Sequence, residues 1–374
     1  MKIHHLLGEL KPSGAETMLK TASRLWRSGG CEGHIISTGA QPGPFARELR
    51  EAGYTIHHLP FGNGPARWVA AYLRFLAREK PDIVHVHAES NSLITTTIPR
   101  LLGIPVCRTI HNHFRYPGLL GWRKRVERRL SRLAGCVPIS IGRSVHDNEL
   151  KTLGNRTLLL WNWYDEEKFR PPTGEERLSA RRELGIDGET IALLSVGNGN
   201  DVKNYASIIA AVALLSGRGS AVGAQPRGGK IRYLMVGKEH PEGLERTTAA
   251  RLGVSDLVRF CGHQSDVRKY LWAADIYLMP SLYEGFGIAA AEAMATGVPT
   301  VLSDVPGLRD FREFDLPIEW CSPEPSEISL AMQRVIAKND GFSRNPSMAR
   351  AVRERFSCGK NASEYLKLWR KIHD

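Results

Sequence analysis

One acid, Glu292, stands in the run Ile288-Ala-Ala-Ala-Glu-Ala-Met-Ala-Thr296, which is otherwise apolar around almost its whole circumference. Such a run reads as a buried helix, and a carboxylate buried there without a partner is very costly. Side chains on a helix lean toward its N-terminus, so Glu292 points back toward the loop Glu284-Gly-Phe-Gly287, where Gly285 and Gly287 let the backbone turn tightly and approach a ligand. The plainer alternative is a Glu that reaches solvent through a gap in the packing or pairs with a structural Arg. A second cluster is His85 and His87, which alternate with Val84 and Val86 and so share one strand face. No carboxylate or third His joins them in sequence, so they read as core or supporting imidazoles and not as metal ligands.

These residues need a scaffold, and the chain supplies alternating strands and helices. Lys2 to Leu7 reads as a strand, Ala15 to Ser28 as a helix, and further strands fall near 33–37, 54–59, 82–87, 105–110 and 136–139. After a boundary at Pro171-Pro-Thr-Gly174 come a helix near 177–184 and strands at Ile191–Val196, Tyr233–Val236, Asp275–Met279 and Val298–Leu302. Strand–helix alternation of this kind predicts α/β architecture with parallel sheets covered on both faces. The Glu292 helix then starts at the carboxyl end of a strand, where open α/β sheets bind ligands. Ser216 to Gly229 is Gly-rich and aperiodic and reads as an inserted loop. Lys360 to His373 reads as a last amphipathic helix.

The length of 374 residues suits two domains, and 42% hydrophobic with 24% charged residues is globular composition. Six scattered cysteines without a Cys-x-x-Cys pair imply reduced structural thiols, not a disulfide framework or a zinc site. No apolar run approaches the length of a membrane span, and no signal peptide is expected. Of the net charge of +12, nearly all falls in residues 1–165, with 23 Lys and Arg against 12 Asp and Glu. Within that half, Arg115 to Arg132 holds Arg115, Arg123, Lys124, Arg125, Arg128, Arg129 and Arg132 against the single acid Glu127, with Trp122, Val126, Leu130 and Leu133 at helical spacing. A basic amphipathic helix of this density predicts contact with an anionic membrane surface, a solvated helix face being the bland alternative. Nucleic acid is set aside because the aromatics, Tyr116 and Trp122, lie at one end only.

Glu284-Gly-Phe-Gly followed by Glu292, flanked by Pro280-Ser281, Gly297-Val-Pro299 and Ser303-Asp304, resembles the E-x7-E motif of retaining, nucleotide-sugar-dependent glycosyltransferases of family GT4. The resemblance covers most of the chain. Ser13-Gly14 stands where the family has a Gly-Gly loop, Lys203-Asn204 matches a phosphate-gripping segment, and Thr109-Ile-His111 resembles the segment holding a His near the transferred sugar and acceptor. It implies the GT-B fold, two Rossmann-like domains facing across a cleft: 1–165, a linker 166–187, a nucleotide-sugar-binding domain 188–345, and C-terminal helices 346–374, the last crossing back to the first domain.

By the same resemblance Glu292 accepts hydrogen bonds from ribose hydroxyls, and Phe286, Gly287 and Ile288 offer main-chain N–H groups. Gly14, Gly197, Asn198, Lys203 and Lys238 surround the diphosphate, while His111, Lys203 and Glu284 carry catalysis. The departure is Asn198, where the family has an Arg; Lys238 or an Arg of the first domain is the expected replacement charge. The expected reaction transfers a sugar from a nucleotide diphosphate to a hydroxyl, on a glycan or lipid-linked acceptor of exopolysaccharide or capsule synthesis. With no Asp-x-Asp in the sequence, neither a metal nor a cofactor is expected. The expected location is cytoplasmic, at the inner membrane face. The rivals are a nucleotide-sugar epimerase or phosphorylase of the same architecture, and a non-catalytic basic adaptor at membrane or nucleic acid.

Overall fold

The computed structural model describes residues 1–218, 230–338 and 342–374. Most of the Gly-rich segment Ser216 to Gly229, from residue 219 on, lies outside the described residues. The chain forms two compact units, Met1–Trp163 with Phe356–Asp374, and Tyr164–Arg355.

The first unit holds seven strands, β1 (Lys2–Leu7), β2 (Glu32–Ser37), β3 (Thr55–His58), β4 (Ile83–Val86), β5 (Val106–Ile110), β6 (Val137–Ser140) and β7 (Leu158–Leu159), in the spatial order β3-β2-β1-β4-β5-β6-β7. Every pairing is parallel. The order reverses between β1 and β4, and such a switch point is where an open α/β sheet leaves a crevice at its carboxyl edge. The period of two puts Ile3, His5 and Leu7 on one face and His4 and Leu6 on the other. The first face is covered by the helices Gly14–Ser28 and Cys358–His373, where Trp26 Nε1 donates to the Ala362 carbonyl at 2.9 Å and Tyr365 and Trp369 are buried. The second is covered by the helix Pro65–Glu79 through Trp68, Tyr72 and Leu76.

The second unit repeats the plan with β8 (Ile191–Val196), β9 (Ile231–Val236), β10 (Val258–Phe260), β11 (Ile276–Met279), β12 (Thr300–Ser303) and β13 (Glu319–Cys321), ordered β10-β9-β8-β11-β12-β13, again all parallel. Its switch point lies between β8 and β11. Buried Asp275 anchors the foot of β11: it accepts from Arg181 at 2.9 Å and from the Ala192 backbone N–H at 2.7 Å. None of the six cysteines is in a disulfide.

The basic helix departs from expectation. It spans Gly118–Leu133, starting after Pro117, because a residue that precedes proline is driven out of helical conformation. Its apolar positions do not all face inward: Trp122, Leu130 and Leu133 are exposed, as are Leu119 and Leu120, while Lys124 and Arg128 are buried. Two acids from other elements explain the inversion. Glu89 pairs with Lys124 at 3.1 Å, with Arg128 at 3.0 Å and with Arg108, and Glu149 pairs with Arg128 at 3.0 Å. These guanidinium and ammonium groups hold the Glu89 carboxyl down at about 2, against the opposing effect of burial.

Candidate active site

In the second unit the loops that leave β8 and β11 are stitched together. Asn204, in a left-handed conformation (φ 56°), donates through Nδ2 to the carbonyls of Pro280 (3.1 Å) and Pro323 (2.8 Å), and the Leu282 N–H donates to Val202 (2.8 Å). This fixes a short 3-10 turn, Asp201–Lys203, capped by Asn200, whose side chain accepts from the Lys203 N–H at 3.0 Å. Lys203 Nζ then donates to Glu284 Oε1 at 2.7 Å, an oxygen that also accepts from Ser281 Oγ at 2.8 Å. A lysine and an acid 81 residues apart thus meet at the carboxyl edge of the sheet.

Gly287 caps the helix Ile288–Ala295 at φ 90°, a conformation that strains any other residue, and an added Cβ would come within 2.6 Å of Leu308. The first N–H groups of that helix have no intrahelical partner. Phe286 turns its ring inward against Phe311, at 5.3 Å between centroids, so only its main chain faces outward chemistry. Gly197 and Gly237 pack backbone to backbone: a Cβ on Gly237 would lie 1.9 Å from the Gly197 carbonyl oxygen. Asn198 Oδ1 accepts from the Lys238 N–H at 3.3 Å, and Gly199 N–H donates to the Lys238 carbonyl at 2.6 Å. The exposed Lys238 therefore starts beside the position where the Arg is missing.

Glu292 lies on this helix, and its carboxyl makes no hydrogen bond or ion pair among the described residues. The residue as a whole keeps some exposure. Burial raises its carboxyl to about 8, with Asp165 adding to the effect and Lys168 opposing it. Of the two ordinary alternatives, no structural Arg pairs with it among the described residues, while partial contact with solvent remains. Asp165 and Lys168 lie near enough to act on the Glu292 charge, a proximity that no local pattern announced.

The first unit holds the other expected residues. Gly14 is the exposed first residue of the helix Gly14–Ser28, behind Ser13, whose Oγ accepts from Ala15 N–H at 3.3 Å. His111 follows β5, its Nε2 2.8 Å from His87 Nδ1; His87 Nε2 lies 3.2 Å from His5 Nδ1, and His85 Nε2 lies 2.7 Å from Thr109 Oγ1. His5 is thus the third imidazole that the local sequence lacked. His5, His85 and His87 each bring a nitrogen within 4.8 Å of the others, as do His4, His34 and Glu79 with one ligand atom each, but the facing nitrogens of His5 and His87 are already within hydrogen-bond distance of one another. Burial and the nearby Arg108 lower His111 to about 4, and burial lowers His5, to about 3, and His85 and His87. His113 is half-buried, its N–H held by Asn112 at 2.9 Å.

Among the described residues no helix is long and apolar enough to cross a membrane. A family model described as glycosyl transferases group 1 matches residues 176–340, and one described as a glycosyl transferase 4-like domain matches residues 13–138. The chain is 25% identical over 293 residues to an uncharacterized glycosyltransferase of Methanocaldococcus jannaschii, covering 75% of this chain and 73% of that protein. It is 24% identical over 322 residues to a Bacillus subtilis (strain 168) protein named as glycosyltransferase EpsF, covering 81% and 79%. The Anabaena protein HepE, solved in complex with UDP-glucose, superposes with a TM-score of 0.82 at 18% identity over 99% of this chain and 100% of that one.

Proposed function

Because the chain belongs to the group 1, GT4-type glycosyltransferases and has the GT-B fold, we propose that it transfers a hexose, with retention and without a metal ion, from a nucleotide diphosphate sugar to a hydroxyl acceptor. The observation that carries the reading is Glu292, a carboxyl without a partner among the described residues, on a buried helix that follows the loop holding the Lys203–Glu284 pair. Hydroxyls of a ribose are neutral donors that can satisfy such a carboxyl. The N–H groups at Gly287 and Ile288 suit sugar hydroxyls or phosphate. Lys203 stabilises the departing diphosphate, a fixed charge aimed at where negative charge develops. Glu284 is held by Lys203 and Ser281, which suits hydrogen bonding to the transferred sugar better than covalent attack; the reading is therefore front-face attack by the acceptor hydroxyl. By the family resemblance His111 is assigned to the sugar and Gly14 to the phosphates.

HepE binds UDP and UDP-glucose, which supports UDP-glucose as the first donor to try, and the likeness to EpsF supports a glycan acceptor of exopolysaccharide type. The exposed Leu119, Trp122 and Leu133, interleaved with exposed Arg123, Arg125, Arg129 and Arg132, suit an anionic membrane, and so a lipid-linked acceptor at the cytoplasmic face. The test is calorimetric titration with UDP and GDP, followed by a screen of nucleotide sugars for slow hydrolysis with and without EDTA and magnesium. Binding of neither nucleotide refutes the donor site; activity lost to EDTA and restored by magnesium refutes metal independence.

A further inference from the structure

We infer that His5 and His87 are positioning residues for His111: the three rings form one hydrogen-bonded chain that fixes which nitrogen of His111 carries its proton. The inference rests on the reading of His111 as a sugar-facing residue, but its first test does not. β1, β4 and β5 are adjacent; His5 lies within β1, and His87 and His111 just beyond the ends of β4 and β5. The links are 3.2 Å from His5 Nδ1 to His87 Nε2 and 2.8 Å from His87 Nδ1 to His111 Nε2.

A neutral imidazole has one N–H and one lone pair. His87 uses both nitrogens, so the chain has only two consistent arrangements: all N–H groups point toward His111, or all point toward His5. The groups at the two ends choose between them. His111 Nδ1 is buried and has no partner, and Arg108 lies close enough to disfavour further positive charge there. An unpartnered lone pair suits that place better than an unpartnered N–H. At the other end His5 lines a cavity of about 10 Å³ together with Trp26, Tyr54 and Trp369, room for about one water that can accept an N–H. The protons therefore run from His111 Nε2 to His87 Nδ1 and from His87 Nε2 to His5 Nδ1. His111 Nδ1 is left as the unprotonated nitrogen of the ring, buried and without a partner.

The experiment is long-range 1H–15N correlation of imidazoles in the full chain labelled with 15N-histidine, His111 being assigned by its absence in His111→Gln. The expected result is a single neutral Nε2–H tautomer of His111 at pH 7, kept in His87→Asn, whose amide replaces Nδ1, and mixed in His87→Phe and in His5→Phe. With UDP-glucose as probe, kcat for hydrolysis should fall roughly 10- to 100-fold in His87→Phe, less than the ~10⁴ lost when a triad histidine takes the wrong tautomer. KM should stay within about twofold, and His87→Asn should recover most of kcat. An Nδ1–H tautomer in the wild type overturns the inference, as does an unchanged spectrum in folded His87→Phe and His5→Phe. Stoichiometric zinc binding abolished by His85→Ala also overturns it, because the facing nitrogens would then be ligands. If the wild type hydrolyses no nucleotide sugar, the transferase reading fails while the spectra still decide the chain.

Discussion

Replacing Glu292 by Gln is expected to stabilise the unliganded protein and to weaken donor binding, both for one reason. The protein around it raises the Glu292 carboxyl to about 8 from an ordinary 4.5. A carboxyl raised in this way favours folding while it is neutral: that contribution is whole below about pH 4.5 and is lost as pH rises through 8. At about 1.4 kcal/mol per pH unit the interval sets a ceiling near 5 kcal/mol above pH 8, and about 3 kcal/mol at pH 7. Partial exposure, with the solvent screening it brings, reduces the pH 7 figure to about 2 kcal/mol. Gln carries no charge at any pH, so Glu292→Gln should melt roughly 4–8 °C above the wild type at pH 7, on about 2–4 °C per kcal/mol for a unit of this size. The gap should shrink toward zero at pH 5 and widen at pH 8.5. In calorimetry at pH 7, where the carboxyl is mostly neutral, the variant should bind UDP roughly 3- to 10-fold more weakly, the loss of an ordinary hydrogen bond to the ribose. Melting curves with the same gap at pH 5 and pH 8.5 would refute the electrostatic argument. Unchanged UDP affinity would refute the ribose assignment.

Lys203→Ala should lower kcat roughly 10²- to 10³-fold, the usual effect of losing one preorganised charge at a leaving group, with circular dichroism unchanged; steady-state hydrolysis measures it. Lys238→Ala should weaken UDP binding several-fold, whereas Asn198→Arg, which supplies the charge at the position next to it, should strengthen binding in the same titration. Sedimentation with vesicles containing anionic lipid should pull down the wild type at low salt, less at high salt, and a Leu119→Ala/Trp122→Ala variant should stay in solution; equal binding to neutral vesicles would count against the electrostatic part. Arg128→Ala should cost about 3–5 kcal/mol in urea denaturation, because Glu149 would be left buried without its guanidinium.

The two-unit plan and the local layout of the candidate site were legible in the sequence because they depend on local periodicity. Alternation of period two showed that His85 and His87 share a face, the greasy run around Glu292 showed an acid out of place, and Gly287 marked the turn before its helix. What covers a face or meets a side chain was not legible. His5 joins His87 only because β1 and β4 are neighbours although 75 residues of other elements separate them. Lys203 finds Glu284 only through the Asn204 clasp. The basic helix was read as though hydrophobic spacing decided its inward side, but Glu89 and Glu149, brought in from other elements, turn Lys124 and Arg128 inward and leave Trp122 and Leu133 outside. Periodicity is written residue by residue and fixes which side chains point the same way; strand order and crossovers decide what stands opposite them, and charge pairing in a low-dielectric interior can then outweigh the apolar pattern.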